Sequence, residues 1–289
     1  MNTRAWLRQR LADGPILMAP GVFDALSAKV VEQCGFEAVY ASGGAISRSM
    51  GFPDLGLVTM SEMLERIARI CEATALPVIA DADTGYGNPL NVHRTVREWE
   101  RAGVAALHLE DQVTPKRCGH YAGKTLIGTD EMVQKIRAAT EARRGDLVII
   151  ARTDARAVEG LEGALRRAQA YREAGADVLF VEAPESLQEI EQIARALSGP
   201  LMINIFKGGK TPVVPTADLD RMGYRLAIFP SELQRAALYA MFACGRHLRT
   251  AGTVDGFDLV ASFQDREATV DAALWNELSE RYATPTTDR

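Results

Sequence analysis

The chain has 289 residues, 47% of them hydrophobic and 25% charged, enough to bury the core of one large α/β domain or two small ones. A net charge of −5 argues against general affinity for nucleic acid or an anionic membrane surface. No apolar run reaches the roughly 20 residues needed to cross a bilayer. The start reads as a short amphipathic helix and not as a secretory signal. Cys34, Cys71, Cys118 and Cys244 are too widely spaced for a zinc pattern or a disulfide framework, so a reducing cytoplasm is the expected setting.

Apolar, β-branched runs alternate with helical patterns. Residues 15–18 predict a first strand, followed by a helix over 23–34 that Gly35 stops. Residues 38–41 predict a second strand running into Ser42-Gly43-Gly44, and a loop carries Phe52-Pro53-Asp54-Leu55-Gly56. Thr59 or Ser61 caps a helix to about residue 73. The third strand, 77–80, ends in Asp81-Ala82-Asp83-Thr84-Gly85-Tyr86-Gly87, and a helix spans 91–102. The fourth, 104–109, ends in Glu110-Asp111 and opens into a polar loop, after which Thr129 caps a helix to about residue 143. The fifth strand, 147–151, ends in Arg152-Thr153-Asp154, and a helix covers 161–174. The sixth, 177–181, ends in Glu182, and Ser186 caps a helix to about residue 197. The seventh, 200–203, ends in Asn204; a short helix over 217–222 leads to the eighth, 225–229. A longer helix covers 232–250, residues 255–282 are helical or mixed, and the tail 283–289 reads as frayed.

Strands buried on both faces read as continuous apolar runs. Eight such units predict a (β/α)8 barrel, with the catalytic domain at 1–252 and a C-terminal helical extension and tail at 253–289. No GxGxxG opens a helix, which argues against a Rossmann unit.

In such a barrel the loops at the C-terminal strand ends build the site. Here those ends carry Ser42-Gly43-Gly44, Asp81 and Asp83, His108, Glu110 and Asp111, Arg152 and Asp154, Glu182, and Asn204. Asp81, Asp83 and Glu110 are hard oxygen donors suited to Mg2+ or Mn2+. The plainer alternative has the aspartates bonding backbone amides in a tight turn. Arg152 can fork a substrate carboxylate or pair with Asp154 or Glu182. Ser42-Gly43-Gly44 can cradle an anion or simply turn the chain. His108, inside a strand, reads as a core histidine.

The loop Lys116-Arg117-Cys118-Gly119-His120 places a thiol among cationic neighbours, which favour a partly ionised cysteine. Gly119 permits the motion a lid needs. The other cysteines sit in helical stretches and read as small hydrophobes.

These motifs resemble the isocitrate lyase/phosphoenolpyruvate mutase superfamily, and within it the group of methylisocitrate, dimethylmalate and 2-substituted malate lyases. The matching pieces are Ser42-Gly43-Gly44, Pro53-Asp54-Leu55-Gly56, the Asp81–Gly87 turn, His108-Leu109-Glu110-Asp111-Gln112, Lys116-Arg117-Cys118-Gly119-His120, Ala151-Arg152-Thr153-Asp154-Ala155 and Gly208-Gly209-Lys210-Thr211-Pro212. The resemblance implies a barrel whose last helix is exchanged between subunits, in a tetramer built as a dimer of dimers. It implies Mg2+ held mainly by Asp81 and Asp83, partly through waters, with Asp54 and Glu110 close by. Ser42, Gly43 and Gly44, aided by Arg152, would hold a 2-oxo-acid end, with Gly119, Glu182 and Asn204 lining the pocket. Cys118, assisted by His120, would be a proton donor on a gating loop. Tyr40 is a candidate to take a proton from the substrate hydroxyl.

The sequence departs from methylisocitrate lyases after the seventh strand. Where they carry Asn-x-Thr-Glu-Phe-Gly, this chain has Asn204-Ile205-Phe206-Lys207-Gly208-Gly209, closer to the substituted-malate and phosphonomutase members. Glu232 adds a carboxylate after the eighth strand, which also disfavours a tricarboxylate. The expected activity is Mg2+-dependent carbon–carbon cleavage of a 2-hydroxy dicarboxylate, with a small di- or tricarboxylate as the only partner besides copies of the chain. Phosphonomutase-type P–C chemistry of the carboxyphosphonoenolpyruvate kind and oxaloacetate decarboxylase or hydrolase activity are the alternatives. A non-catalytic barrel would lack the loop cysteine or a metal ligand, and this chain has both.

Overall fold

Leu17 pairs in parallel with Leu226, and that register closes the sheet between its first and last strands. The computed structural model describes residues 2–121 and 123–283. Residue 1 of the expected first helix and residues 284–289 of the expected frayed tail lie outside the described residues. The strands β1 (Leu17–Val22), β2 (Val39–Ala41), β3 (Val78–Asp81), β4 (Ala106–Glu110), β5 (Val148–Thr153), β6 (Val178–Val181), β7 (Leu201–Asn204) and β8 (Leu226–Phe229) form a closed parallel barrel in sequence order. This is the (β/α)8 architecture expected from the apolar runs.

Two apolar layers hold it together. Ala19, Tyr40, Ile79, Ala106, Ile150, Phe180, Met202 and Ile228 fill the barrel interior. The helix α1 (Thr3–Asp13) sends Leu7 and Leu11 into the same cluster, and Arg4 Nε donates to Val104 O at 2.9 Å. Val104 precedes β4, so α1 covers the N-terminal end of the barrel and leaves the C-terminal ends for chemistry. The second layer lies between strands and helices, where Met63, Ile67, Val96, Trp99, Ile136, Tyr171 and Ile190 pack outward-facing strand residues.

The outer helices are α2 (Ala25–Gln33), α3 (Gly43–Ser49), α4 (Met60–Ala73), α5 (Pro89–Ala102), α6 (Thr129–Ala142), α7 (Arg156–Glu173), α8 (Leu187–Ala196) and α9 (Thr216–Met222). Thr59 and Glu62 form the capping box of α4, and Ser186 caps α8, as the sequence suggests. Thr129 does not cap α6: it is the first helical residue, and Gly128 precedes it with no side-chain cap.

Three further expectations needed revision. Strand β1 runs over Leu17–Val22 and not 15–18, continuing through Pro20 and Gly21. Gly21 is required there because a Cβ would come within 2.3 Å of the Pro230 carbonyl oxygen. Ser42-Gly43-Gly44 is not a loop: Ser42 caps α3 through the Ala45 amide, and the glycines form its first turn. Helix α7 starts at Arg156 and kinks at Gly160 (φ 76°), so the straight segment corresponds to the expected 161–174.

The chain gathers into two compact units, Met1–Gln234 and Arg235–Arg289. The helix α10 (Glu232–Ala251) spans the junction, and the second unit also holds α11 (Phe263–Thr269) and α12 (Ala272–Arg281). Apolar side chains of α10 and α12, including Tyr239, Met241, Phe242 and Trp275, are exposed. Among the described residues no helix is long and apolar enough to cross a membrane.

Candidate active site

Alternation along a strand decides which strand-end residues face the barrel mouth. Glu110 and Asp111 are adjacent and both fully buried, yet they serve different purposes. Asp111 points outward and accepts from Thr153 Oγ1 (2.7 Å), the Asp154 amide (2.9 Å) and Tyr171 Oη (2.8 Å), tying β4 to β5 and α7. Glu110 points inward. Neither of its oxygens has a hydrogen-bond partner among the described residues, and Arg152 Nη1 lies 3.2 Å from Oε2. Burial drives its carboxyl well above the ordinary range, despite Arg152.

The carboxylates Asp54, Asp81 and Asp83 gather beside it. Lys116 Nζ lies 2.5 Å from Asp54 Oδ1 and 2.8 Å from Asp83 Oδ1. Burial raises the Asp83 carboxyl to about 6, with Asp81 adding to the rise and Lys116 opposing it. Burial also works against ionised Asp81, but His108, Lys116, Arg152 and the Asp83 amide (3.0 Å) outweigh it and hold its pKa below normal. Asp83 has φ 47°, the left-handed region, which turns its side chain back beside Asp81.

Tyr40 Oη lies 2.8 Å from His108 Nε2 and 3.5 Å from Asp81 Oδ2. Burial raises the Tyr40 phenol well above its usual value and lowers the His108 imidazole. Together they back Asp81 from inside the barrel. His108 is buried as expected of a core histidine, with its Nδ1 unpartnered among the described residues.

Gly43 and Gly44 are pressed against this cluster. A Cβ on Gly43 would come within 2.6 Å of Asp81 Oδ2, and one on Gly44 within 2.8 Å of Asp54 Oδ2. Backbone can approach these carboxylates only because both positions lack a side chain.

Arg152 is held by Asp154: Nε donates to Oδ2 at 2.9 Å and Nη2 to Oδ1 at 3.0 Å. One edge of the guanidinium fork is thus already occupied, and Nη1 faces Glu110. Of the two readings left open by the sequence, the ion pair is the one this structure contains.

The cysteine loop folds over the cluster. At its base Val113 N donates to Thr125 O (2.9 Å), and Gln112 clamps both backbone groups of Arg117, accepting at 3.0 Å and donating at 2.8 Å. Gly119 is pressed against the cluster, where a Cβ would lie 2.4 Å from Arg152 Nη2 and 2.5 Å from Glu182 Oε1. His120 Nδ1 accepts from the Lys210 amide at 3.0 Å, so Nε2 carries the proton that reaches Glu182 Oε1 at 3.0 Å. Asn204 Nδ2 also donates to Glu182 Oε1, at 3.3 Å. Burial opposes ionised Glu182, but Arg152 and His120 hold its pKa below normal.

The cationic neighbours of Cys118 do not bring its thiol pKa down overall. The Cys118 thiol is pushed up, first by burial and then by Asp54 and Glu182, while the His120 amide and Arg152 only partly offset them. The Lys116 ammonium pairs with Asp54 and Asp83. His120 faces Glu182. A cysteine in this setting keeps its proton.

Lys124 went unnoticed in the sequence. Its ammonium is buried, donates to the Gly119 carbonyl, and lies 2.8 Å from Asp154 Oδ1. A lysine in a glycine-bearing loop reads as solvated, and nothing in its spacing signals otherwise.

Among the described residues, the six carboxyls Asp54, Asp81, Asp83, Glu110, Asp154 and Glu182 gather around three cations that form ion pairs within the group, Lys116, Lys124 and Arg152. That excess, the unpartnered Glu110 oxygens and an oxygen-only donor set fit a hard divalent cation. Among the described residues no three ligating side chains converge as a ready-made cluster. A cation held by Asp81 and Asp83 would therefore complete its shell with water or substrate oxygens.

A parallel eightfold barrel with carboxylates, an arginine and a protonated cysteine at its C-terminal mouth defines an enzyme scaffold. The chain belongs to the phosphoenolpyruvate phosphomutase family, which matches residues 7–249, and so to the isocitrate lyase/phosphoenolpyruvate mutase superfamily. It is 44% identical over 287 residues to 2,3-dimethylmalate lyase of Eubacterium barkeri, covering 98% of this chain and 99% of that one. It is 49% identical over 247 residues to 2-methylisocitrate lyase of Aeropyrum pernix, covering 86% and 80%. A crystal structure of 2,3-dimethylmalate lyase superposes with a TM-score of 0.92 at 38% identity, covering 100% of this chain and 98% of that one. The named relatives are lyases of this superfamily.

Proposed function

We propose that the protein is a Mg2+-dependent carbon–carbon lyase that splits a 2-hydroxy dicarboxylate of the 2-substituted malate type into a 2-oxo acid and a carboxylic acid. The observation that carries this reading is Cys118 on a loop seated, through Gly119, against Arg152 and Glu182, where burial raises its thiol pKa. Near-complete coverage of a dimethylmalate lyase supports the substrate class.

Asp81 and Asp83 would hold the cation, with Asp54 and Glu110 beside them. When bound, Mg2+ supplies Lewis acidity toward the substrate's hydroxyl oxygen. The backbone of Gly43 and Gly44 and the Nη1 side of Arg152, which faces Glu110, orient the 2-oxo-acid end. Glu182, Asn204 and His120 form the opposite wall. A carboxylate at the mouth accepts the hydroxyl proton as the C2–O bond becomes the 2-oxo carbonyl and the C2–C3 bond breaks, leaving its electron pair on the second fragment as a carboxylate enolate. Cys118 Sγ–H gives its proton to that carbon, and the thiolate is reprotonated after the loop opens. Buried Tyr40 remains a neutral phenol that positions Asp81 and His108.

Phe206 stands edge-on to His120, with ring centroids 4.5 Å apart, and Glu232 accepts from the Lys207 amide at 3.1 Å. An apolar ring and a carboxylate at this rim favour a dicarboxylate over a tricarboxylate. The exposed apolar side chains of α10 support the expected subunit exchange in a tetramer. The balance of charge fits a cytoplasmic metabolic enzyme.

The test is release of 2-oxo acid from a panel of 2- and 3-substituted malates, methylisocitrate and isocitrate with Mg2+. Cleavage of 2,3-dimethylmalate in preference to methylisocitrate is expected. Inertness toward the whole panel overturns the reading. The family match also keeps P–C chemistry open, and a carboxyphosphonate substrate followed by phosphorus NMR would reveal it.

A further inference from the structure

Lys124 is a buried cation that the proposed chemistry does not use. It lies on the return arm of the cysteine loop, where Thr125 O accepts from Val113 N at 2.9 Å and Leu126 bridges to Gln112. This arm is part of the loop's fixed base. From there the ammonium reaches inward to Asp154 Oδ1, at 2.8 Å, and to the carbonyl of Gly119. Asp154 in turn grips Arg152 at 2.9 and 3.0 Å, and Gly119 follows Cys118 directly. Its side chain is 1% exposed, against 0% for Asp154, so the link runs through a region of low dielectric.

The geometry points to Lys124 as the positioning residue that latches the cysteine loop closed, tying the loop tip at Gly119 to the Arg152–Asp154 pair. The inference rests on the lyase reading for its kinetic consequence, though the latch itself does not depend on turnover. The tip has a second tether, through His120 to Glu182 and the Lys210 amide. That tether holds it from the β6 and β7 side, whereas Lys124 holds it from the β5 side. Closure therefore needs both, and loss of the lysine alone frees the backbone next to the thiol.

The role has an observable sign. If Lys124 acted only as a nearby positive charge, removing it would lower the thiolate fraction at Cys118 and slow its alkylation. If it latches the loop, removing it exposes the sulfur and speeds alkylation. The experiment is iodoacetamide labelling of the full-length protein, with Cys118 and exposed Cys34 followed separately by peptide mass spectrometry. In Lys124→Met, Cys118 should react about tenfold faster or more, as expected when a charge-assisted hydrogen bond is lost, while Cys34 keeps its rate. Lys124→Arg, which retains donors and charge, should return Cys118 most of the way to the wild-type rate. With 2,3-dimethylmalate and Mg2+, Lys124→Met should lower kcat about a hundredfold and change KM far less. A Cys118 rate unchanged or slower in Lys124→Met overturns the latch. Should that variant fail to fold, Lys124→Gln, uncharged but still a donor, decides by the same reading: Cys118 faster than wild type supports the latch, and no change overturns it. Because labelling needs no substrate, failure of the lyase assay leaves this result readable.

Discussion

Gly119 lies so close to Glu182 that a methyl group on its Cα would come within 2.5 Å of the carboxylate Oε1. The loop can therefore seat only with glycine at this position. Gly119→Ala should hold the loop partly open and lower kcat about a hundredfold, the cost of misplacing a reacting group by about an ångström. The loop can swing away and relieve the clash, so thermal melting should move little. Kinetics and melting of the same preparation check both parts.

Cys118→Ser should lower turnover by about a thousandfold, since a hydroxyl is a far weaker acid than a thiol. Binding of pyruvate with Mg2+, measured by calorimetry, should stay close to wild type. The raised thiol pKa also fixes a sign. A donor must arrive protonated, so the alkaline limb that Cys118 sets should fall beyond the ordinary thiol range. A pH–rate profile measures it.

Asp154 governs acid stability. Burial opposes its ionisation, but Arg152 and Lys124 more than compensate and lower its pKa to about 2. A carboxyl depressed in the folded state stabilises fully above its unfolded pKa, about 3.9, and that contribution is lost as pH falls through the window down to about 2. The linked stabilisation is ~2 kcal/mol. Asp154→Asn should be less stable at pH 7 and should show a flatter stability profile between pH 4 and pH 2. Denaturant melts across that range test it.

Phe206 and His120 meet edge to face, with ring planes at 82°. Phe206→Thr removes the apolar wall and offers a hydroxyl. The ratio of kcat/KM for methylisocitrate to that for 2,3-dimethylmalate should rise about tenfold, the scale of one altered pocket contact. An unchanged ratio removes Phe206 from the account of specificity.

Much of this was legible in the residues because burial on both faces writes strands as unbroken apolar runs. The polar residue ending each run then marks the barrel mouth, and so Asp81, Glu110, Arg152, Glu182 and Asn204 could be placed on one rim before any coordinates. What escaped depends on contacts made across the fold. Strand β1 runs past the expected 15–18 through Pro20 and Gly21, and only the neighbouring Pro230 backbone explains the glycine. Lys116 reads as a cation beside a cysteine, whereas its ammonium is drawn to Asp54, distant in the chain. Lys124 reads as solvated, and only its burial against Asp154 reveals it. Period-two alternation would have separated inward Glu110 from outward Asp111, which the sequence reading had left grouped together.

The central claim is that Cys118 delivers a proton to one face of the departing carbanion. The most direct measurement is cleavage of 2,3-dimethylmalate in D2O with Mg2+, followed by configurational analysis of the propionate formed. A single deuterium at C2 in one configuration is predicted, because a donor fixed on a closed loop reaches only one face. Racemic CH3CHD-carboxylate from the wild-type enzyme would mean that solvent supplies the proton, and would contradict the account.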